Sequence, residues 1–228
     1  MRIVYTHDRS FDAEITRIQN RGKTIDPEIA AIVDTIVQDV ATRGDKALFE
    51  YTEKFDGVSL DGRSVEVSAQ EKESALEEID VKDRELLKHA ARRIEDFHRK
   101  QSIDSWFTVD DDGVELGQVI RPLGKVGIYV PGGLASYPST VLMAAVPARI
   151  AGVEEVILTT PAKGERVNPL IIAAANAGGV DRIFKVGGAQ AVAALAYGTE
   201  SSPVSLLSMP RRKDHTQGKS PAPSSRLP

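Results

Sequence analysis

The sequence predicts an α/β fold: a helical N-terminal region followed by an incomplete, Rossmann-like parallel βαβ sheet. Three observations lead there. Through the first hundred residues, apolar side chains recur at helical spacing. From Lys125 onward, short β-branched runs alternate with apolar helical stretches, and strand starts lie about 30 residues apart, the spacing of βαβ units. The alternation stops near Glu200, after only three such strands.

The elements follow in order. Asp26-Pro27 is a helix start, an N-cap with proline at the first helical position. Ile29, Ile32, Val33, Ile36, Val37 and Val40 then mark one face, and Gly44 ends it. Asp45 is the expected cap of a second helix carrying Leu48, Tyr51 and Phe55, stopped by Asp56-Gly57. Val65 and Val67 alternate as a short strand, and Ser68 with Glu71 matches a capping box ahead of Leu76 and Ile79. A longer helix is expected over 82–100, with Leu86, Ala90, Ile94 and Phe97 on one face.

Two strands, 106–109 and 114–120, flank the turn Asp110-Asp111-Asp112-Gly113. The repeating unit then begins: strand 125–130 (KVGIYV), helix 139–151, strand 155–159 (EVILT), helix 168–177, strand 182–186 (RIFKV) and a helix over 189–197. Such strands are expected to be parallel and buried on both faces. Three of them leave unpaired N–H and C=O groups at both edges. The expectation is therefore of a partial sheet, its other strands supplied by a partner or by a segment this chain lacks.

The 228 residues divide into a mainly helical region 1–104, a partial Rossmann-like domain 105–200 and a basic, Pro/Ser-rich tail 201–228 expected to be disordered. The tail holds Arg211, Arg212, Lys213, Lys219 and Arg226 against Asp214 alone, so it is positive while the whole chain carries −4. That overall balance favours neither nucleic acid nor an anionic membrane, and a short basic run without aromatics reads as a solvated tail. Cysteine is absent, which excludes disulfides, thiolate nucleophiles and cysteine-based metal sites. With no apolar run of bilayer length and no secretory pattern in MRIVYTHDRS, the chain is expected to be cytoplasmic.

In a parallel α/β sheet, ligands bind beyond the carboxyl ends of the strands. Two loops lie there. Residues 130–140 are rich in glycine and hydroxyls and lead into a helix N-terminus, a place suited to anions. Gly187 and Gly188 precede Gln190, whose amide can both donate and accept. The same glycines serve equally well as tight strand–helix turns. Neither G-x-G-x-x-G nor a Walker lysine is present. His7, His89, His98 and His215 offer no metal set: His89 and His98 are about two and a half turns apart on one helix. The acidic turn at 110–113 lacks a calcium-loop glutamate, because Arg121 stands at the twelfth position.

At these loops the chain resembles the histidinol dehydrogenases. The segments that carry the resemblance are Arg121-Pro-Leu-Gly-Lys-Val-Gly-Ile-Tyr-Val-Pro-Gly-Gly133, Tyr137-Pro-Ser-Thr-Val-Leu-Met143, Pro147-Ala-Arg-Ile-Ala-Gly-Val153 and Phe184-Lys-Val-Gly-Gly-Ala-Gln190 running on to Tyr197-Gly-Thr-Glu200. The helical region joins in through Arg43-Gly-Asp-Lys-Ala-Leu48, so residues 1 to about 200 are covered.

The resemblance implies a cytoplasmic, zinc- and NAD-dependent homodimer of histidine biosynthesis that oxidises L-histidinol to L-histidine through histidinal. It implies that Tyr129 and Gln190 contact NAD. The family's Gly-Pro-Gly-Asn segment has no counterpart, since Ser201-Ser-Pro-Val-Ser-Leu-Leu-Ser-Met-Pro210 stands in its place. The zinc ligands, the substrate-binding residues and the catalytic Glu-His pair are downstream in the family, so no catalytic or metal residue is assigned here. Charge, proline content and the family match all change near residue 200, which suggests a frameshifted tail. The alternative to an active dehydrogenase is thus a truncated, non-catalytic fragment.

Overall fold

The computed structural model describes residues 4–19, 26–132, 137–164 and 166–202. The tail beyond Ser202, with its expected disorder, lies outside them. The elements are helices α1 (Phe11–Gln19), α2 (Pro27–Arg43), α3 (Asp45–Asp56), α4 (Ala69–Glu78) and α5 (Val81–His98), then a 3-10 turn (Arg99–Gln101). Strands β1 (Trp106–Val109), β2 (Glu115–Gln118) and β3 (Lys125–Tyr129) follow. The remainder is α6 (Pro138–Ile150), β4 (Glu155–Thr159), α7 (Pro169–Gly178), β5 (Arg182–Phe184) and α8 (Gly188–Tyr197).

The cap residue's side chain sets the starts of α2, α4, α5 and α7. Asp26 accepts from the Glu28 N–H at 2.9 Å, and Asn168 from Leu170 at 2.9 Å. Ser68 and Glu71 exchange both bonds of the expected capping box, at 3.2 and 2.8 Å. The start of α3 differs from expectation. Gly44 holds the cap position at φ 56, and Asp45 is the first helical residue. Glycine brings no side chain to the free N–H groups of the first turn, and Glu200 supplies the acceptor from the far end of the chain.

Two apolar faces are rotated from their expected positions. On α2 only Ile36 and Val40 are buried, while Ile29 and Ile32 stay exposed. On α5 the packed stripe is Leu87, Ala90, Ala91 and Ile94, and Leu86 and Phe97 face out. Both stripes keep helical spacing; only the facing side differs.

Strands β3, β4 and β5 form a parallel sheet in that order. Lys125 pairs with Glu155 and Tyr129 with Thr159, and Thr159 pairs with Phe184. The sheet has one more member than expected. Val67 donates to the Ile183 carbonyl and Lys185 to the Val65 carbonyl, both at 2.8 Å, with an antiparallel bridge between Glu66 and Phe184. The outer edge of β5 is therefore covered, which corrects the expectation of two open edges. Arg182 fixes this pairing by two bonds to Glu66, at 3.1 and 2.7 Å.

One face of the sheet, through Ile128, Val130, Val156, Leu158 and Ile183, packs on α6 and α7, with α4 and α5 behind. The other face, through Ile157, Phe184 and Val186, packs on α8, with α2 and α3 behind it. The β1–β2 hairpin is antiparallel as expected, yet every residue of both strands is exposed. Among the described residues, no helix is long and apolar enough to cross a membrane.

Candidate functional site

The carboxyl ends of β3, β4 and β5 lie side by side, and the ladder runs on past them. Val130 donates to the Thr159 carbonyl at 2.9 Å and Thr160 to the Phe184 carbonyl at 3.1 Å. Pro161 follows, wedged between two glycines. A Cβ on Gly132 would overlap the Pro161 ring, and one on Gly187 would lie 2.7 Å from Pro161 Cβ. Close approach therefore accounts for glycine at both positions. The two turns are locked to the end of β4 by a single proline.

Gly188 answers a different demand. Its φ is +66, a left-handed conformation that costs other residues about 1–2 kcal/mol. The space its Cβ would occupy is filled by Gln190, whose Oε1 lies 2.5 Å away. Gln190 sits in the first turn of α8 and is 1% exposed. Among the described residues, neither its Oε1 nor its Nε2 has a hydrogen-bond partner. Thr159, also buried, has an unpartnered Oγ1. Three unmet polar atoms thus gather at one edge of the sheet. A polar group buried without a partner costs about 1–3 kcal/mol, so a native protein retains few of them without a use.

Tyr129 closes β3 and is 37% exposed. Ile128 and Val130 belong to the α6 face, so strand alternation turns Tyr129 toward the α8 face, the face of Gln190's helix. The two predicted cofactor residues thus share one edge and one face, with β4 between them. The N-terminus of α8 has Gly187 as its cap and, among the described residues, no side-chain acceptor, which suits it to an anion. The adjoining loop, residues 133–136, lies outside the described residues.

These features fit a dinucleotide. The Gln190 amide and Thr159 hydroxyl offer unused donors and acceptors, Tyr129 offers a half-open ring, and α8 offers a partial positive end. Zinc does not fit. Among the described residues, no group of three or more His, Cys, Asp or Glu side chains is placed to hold a metal. His98 instead bonds to Gln101 through Nδ1 at 2.7 Å, and His215 lies outside the described residues.

The histidinol dehydrogenase family model matches residues 19–207. The chain belongs to the histidinol dehydrogenase family. It is 50% identical over 203 residues to the histidinol dehydrogenase of Syntrophotalea carbinolica, covering 89% of this chain and 47% of that protein. It is 46% identical over 204 residues to that of Geobacter sulfurreducens, covering 89% and 48%. The crystal structure of histidinol dehydrogenase from Elizabethkingia anophelis superposes with a TM-score of 0.71 at 32% identity, over 90% of this chain and 43% of that one. The chain spans about half the length of the curated relatives it matches.

Sequence reasoning missed Thr159 and Pro161. The signal was present, because Thr159-Thr160-Pro161 directly follows the fully apolar run Val156–Leu158 at the carboxyl end of a buried strand. It also missed Glu200 as a cap, since no local pattern links residues so far apart.

Proposed function

We propose that this chain is the dinucleotide-binding portion of a histidinol dehydrogenase, an oxidoreductase that takes L-histidinol to L-histidine through histidinal in histidine biosynthesis. The single observation that carries this reading, beyond family, is the buried and unpartnered Gln190 amide at the start of α8. When bound, the nicotinamide of NAD would accept hydride from the carbinol carbon. Gln190 would hydrogen-bond the cofactor, and Tyr129 would line its pocket at the end of β3. The N-terminus of α8 would neutralise part of the pyrophosphate charge. The glycine–proline lock around Pro161 would hold these groups in fixed relation, which lowers the entropy cost of binding.

Zinc, the substrate-binding groups and the acid–base pair are assigned to no described residue, and no step is derived through them. In this reading they belong to the other half of the relatives' length. The assembled enzyme would be a cytoplasmic homodimer, with no nucleic-acid or membrane partner. The second reading is a non-catalytic fragment that binds NAD feebly.

Calorimetric titration of NAD+ into the purified 228-residue chain tests the proposal, with zinc content and histidinol-dependent NADH formation measured alongside. Saturable NAD+ binding is expected, weakened by about tenfold or more on Gln190→Met. Absence of NAD+ binding would overturn the dinucleotide reading. Turnover without an added second half would overturn the fragment reading.

A further inference from the structure

Thr159 ends β4 with an idle hydroxyl. Thr52, also fully buried, shows the usual solution: its Oγ1 donates to the Leu48 carbonyl at 2.8 Å. Thr159 is 1% exposed, yet its Oγ1 has no partner among the described residues. The Thr159 carbonyl is engaged by the Val130 N–H at 2.9 Å, so the want is confined to the side chain. Valine would fill the same volume and suits a strand as well. Packing and strand formation therefore leave the hydroxyl unexplained.

Register places Thr159 between Tyr129 on β3 and Phe184 on β5, with strands about 4.8 Å apart. Ile157 lies on the α8 face, so alternation puts the Thr159 side chain on that face too. Phe184 is buried and Tyr129 half-open, so the side chain is approached from Tyr129. The Gln190 amide joins from α8. Its Oε1 lies against Gly188, and the neighbouring Gly187 is pressed on Pro161, two residues past Thr159.

The unmet atoms define what can be held. Gln190 Oε1 needs a donor, Nε2 needs an acceptor, and Thr159 Oγ1 can serve either role. Phosphate oxygens only accept, so a pyrophosphate leaves Oε1 unmet. A carboxamide has both roles, but a whole ribose separates it from the pyrophosphate. Each ribose is joined directly to the pyrophosphate and carries two adjacent hydroxyls, each a donor and an acceptor. Gln190 sits in the first turn of α8, beside the place proposed for the pyrophosphate, so a ribose diol is the neutral group within reach. Rossmann folds serve a ribose diol with a carboxylate beyond the glycine turn. Residues 156–164 contain no carboxylate, and the Thr159 hydroxyl stands at that strand end instead.

We infer that Thr159 is a further cofactor-binding residue, and that its hydroxyl and the Gln190 amide together hold the 2′,3′-diol of one ribose of the dinucleotide. This assignment rests on the dinucleotide reading and adds the group recognised and a residue that recognises it.

Calorimetric titration of the 228-residue chain tests it with three probes: NAD+, NAD+ lacking the adenosine 2′-hydroxyl, and NAD+ lacking the nicotinamide-ribose 2′-hydroxyl. At least one deoxy analogue should bind the parent about tenfold more weakly than NAD+, one hydrogen bond to a buried group being of that order. The weaker analogue identifies the ribose. Thr159→Val should bind NAD+ about tenfold more weakly and should no longer distinguish NAD+ from that analogue. Thr159→Ser keeps the hydroxyl and should keep the parent's preference. The urea midpoint of ligand-free Thr159→Val should equal or exceed the parent's, which separates a lost contact from a lost fold. Thr159→Ala takes the place of Thr159→Val should the latter fail to fold.

Equal binding of all three probes by the parent would overturn the assignment and leave the dinucleotide reading standing. So would parent-like NAD+ affinity in Thr159→Val, or a preference for NAD+ that survives loss of the hydroxyl. A parent chain that binds no NAD+ would overturn both.

Discussion

Glu200 reaches back 155 positions in sequence to accept the backbone N–H of Asp45 at 2.9 Å, capping a helix whose own cap residue is glycine. Ser201 reinforces the junction through its N–H, which donates to Asp45 Oδ1 at 3.2 Å, and its hydroxyl, which donates to Asp45 Oδ2 at 2.5 Å. The end of α8 is thereby tied to the start of α3.

Glu200→Ala should cost about 1 kcal/mol, the usual price of losing an N-cap acceptor. Glu200→Gln keeps an acceptor oxygen and should lose only the charge–dipole part, about 0.3–1 kcal/mol. Urea unfolding reads both as a lower midpoint at constant slope. Equal stability of Glu200→Ala and the parent would mean that the contact carries no energy.

Gly188→Ala meets two obstacles, the positive φ and the Gln190 side chain. Only the second disappears when Gln190 is shortened. In a double-mutant cycle, Gly188→Ala should cost about 2–3 kcal/mol in the parent. It should cost about 1–2 kcal/mol with Gln190→Ala already in place, the left-handed backbone alone. Strict additivity would show that the two side chains do not compete for the same space.

Much of this architecture was legible because it is local. The capping box at Ser68, the stop at Gly57 and the β4 strand follow from short patterns that tertiary packing did not override. What stayed hidden depends on distant partners. Val65 and Val67 read as a strand, but nothing nearby in sequence says that they pair with β5. The rotated stripes on α2 and α5 keep their period while the facing side is chosen by the sheet they meet. At the site, Gly187 and Gly188 read alike in sequence. One is there because Pro161 presses against it and the other because its φ is positive. The resemblance could point to Gln190 and Tyr129, but only the structure shows that the Gln190 amide lies buried without a partner.

The ion pair between buried Lys185 and half-buried Glu71 predicts a pH dependence. Lys185 is 5% exposed, and its ammonium pairs with Glu71, which also closes the α4 capping box. Burial pushes the Glu71 carboxyl up, but hydrogen bonds from Lys185 and Ser68 outweigh it, and the group lies below its ordinary value of 4.5. A folded value below the unfolded one means that the stabilisation is complete above the unfolded value. It fades as pH falls through 4.5 toward the folded value. Glu71→Gln leaves Lys185 buried without its counter-ion. The cost should be about 1–2 kcal/mol at pH 7, reduced from the fully buried case because Glu71 is partly solvated. Urea midpoints of parent and variant should converge as pH drops below the ordinary glutamate range. A gap that persists at low pH would assign the effect to packing and not to charge.

Gln190→Met sets stability against function at one residue. The substitution keeps length and removes two polar atoms that have no partner. In the free chain it should raise stability by about 1–3 kcal/mol, the desolvation penalty of an unmet buried polar group. The same change removes the amide proposed to hold the cofactor, so NAD+ affinity should fall by about tenfold or more. An amide retained for packing would give the opposite pair of results, a neutral or destabilising substitution with NAD+ binding unchanged. Stability rising while affinity falls is the signature of a polar group kept for a ligand, because only the bound state repays its burial. Thermal or urea unfolding with and without saturating NAD+ measures both quantities on the same samples. The stabilisation by ligand should be smaller in Gln190→Met than in the parent, by about 1.4 kcal/mol for each tenfold loss of affinity.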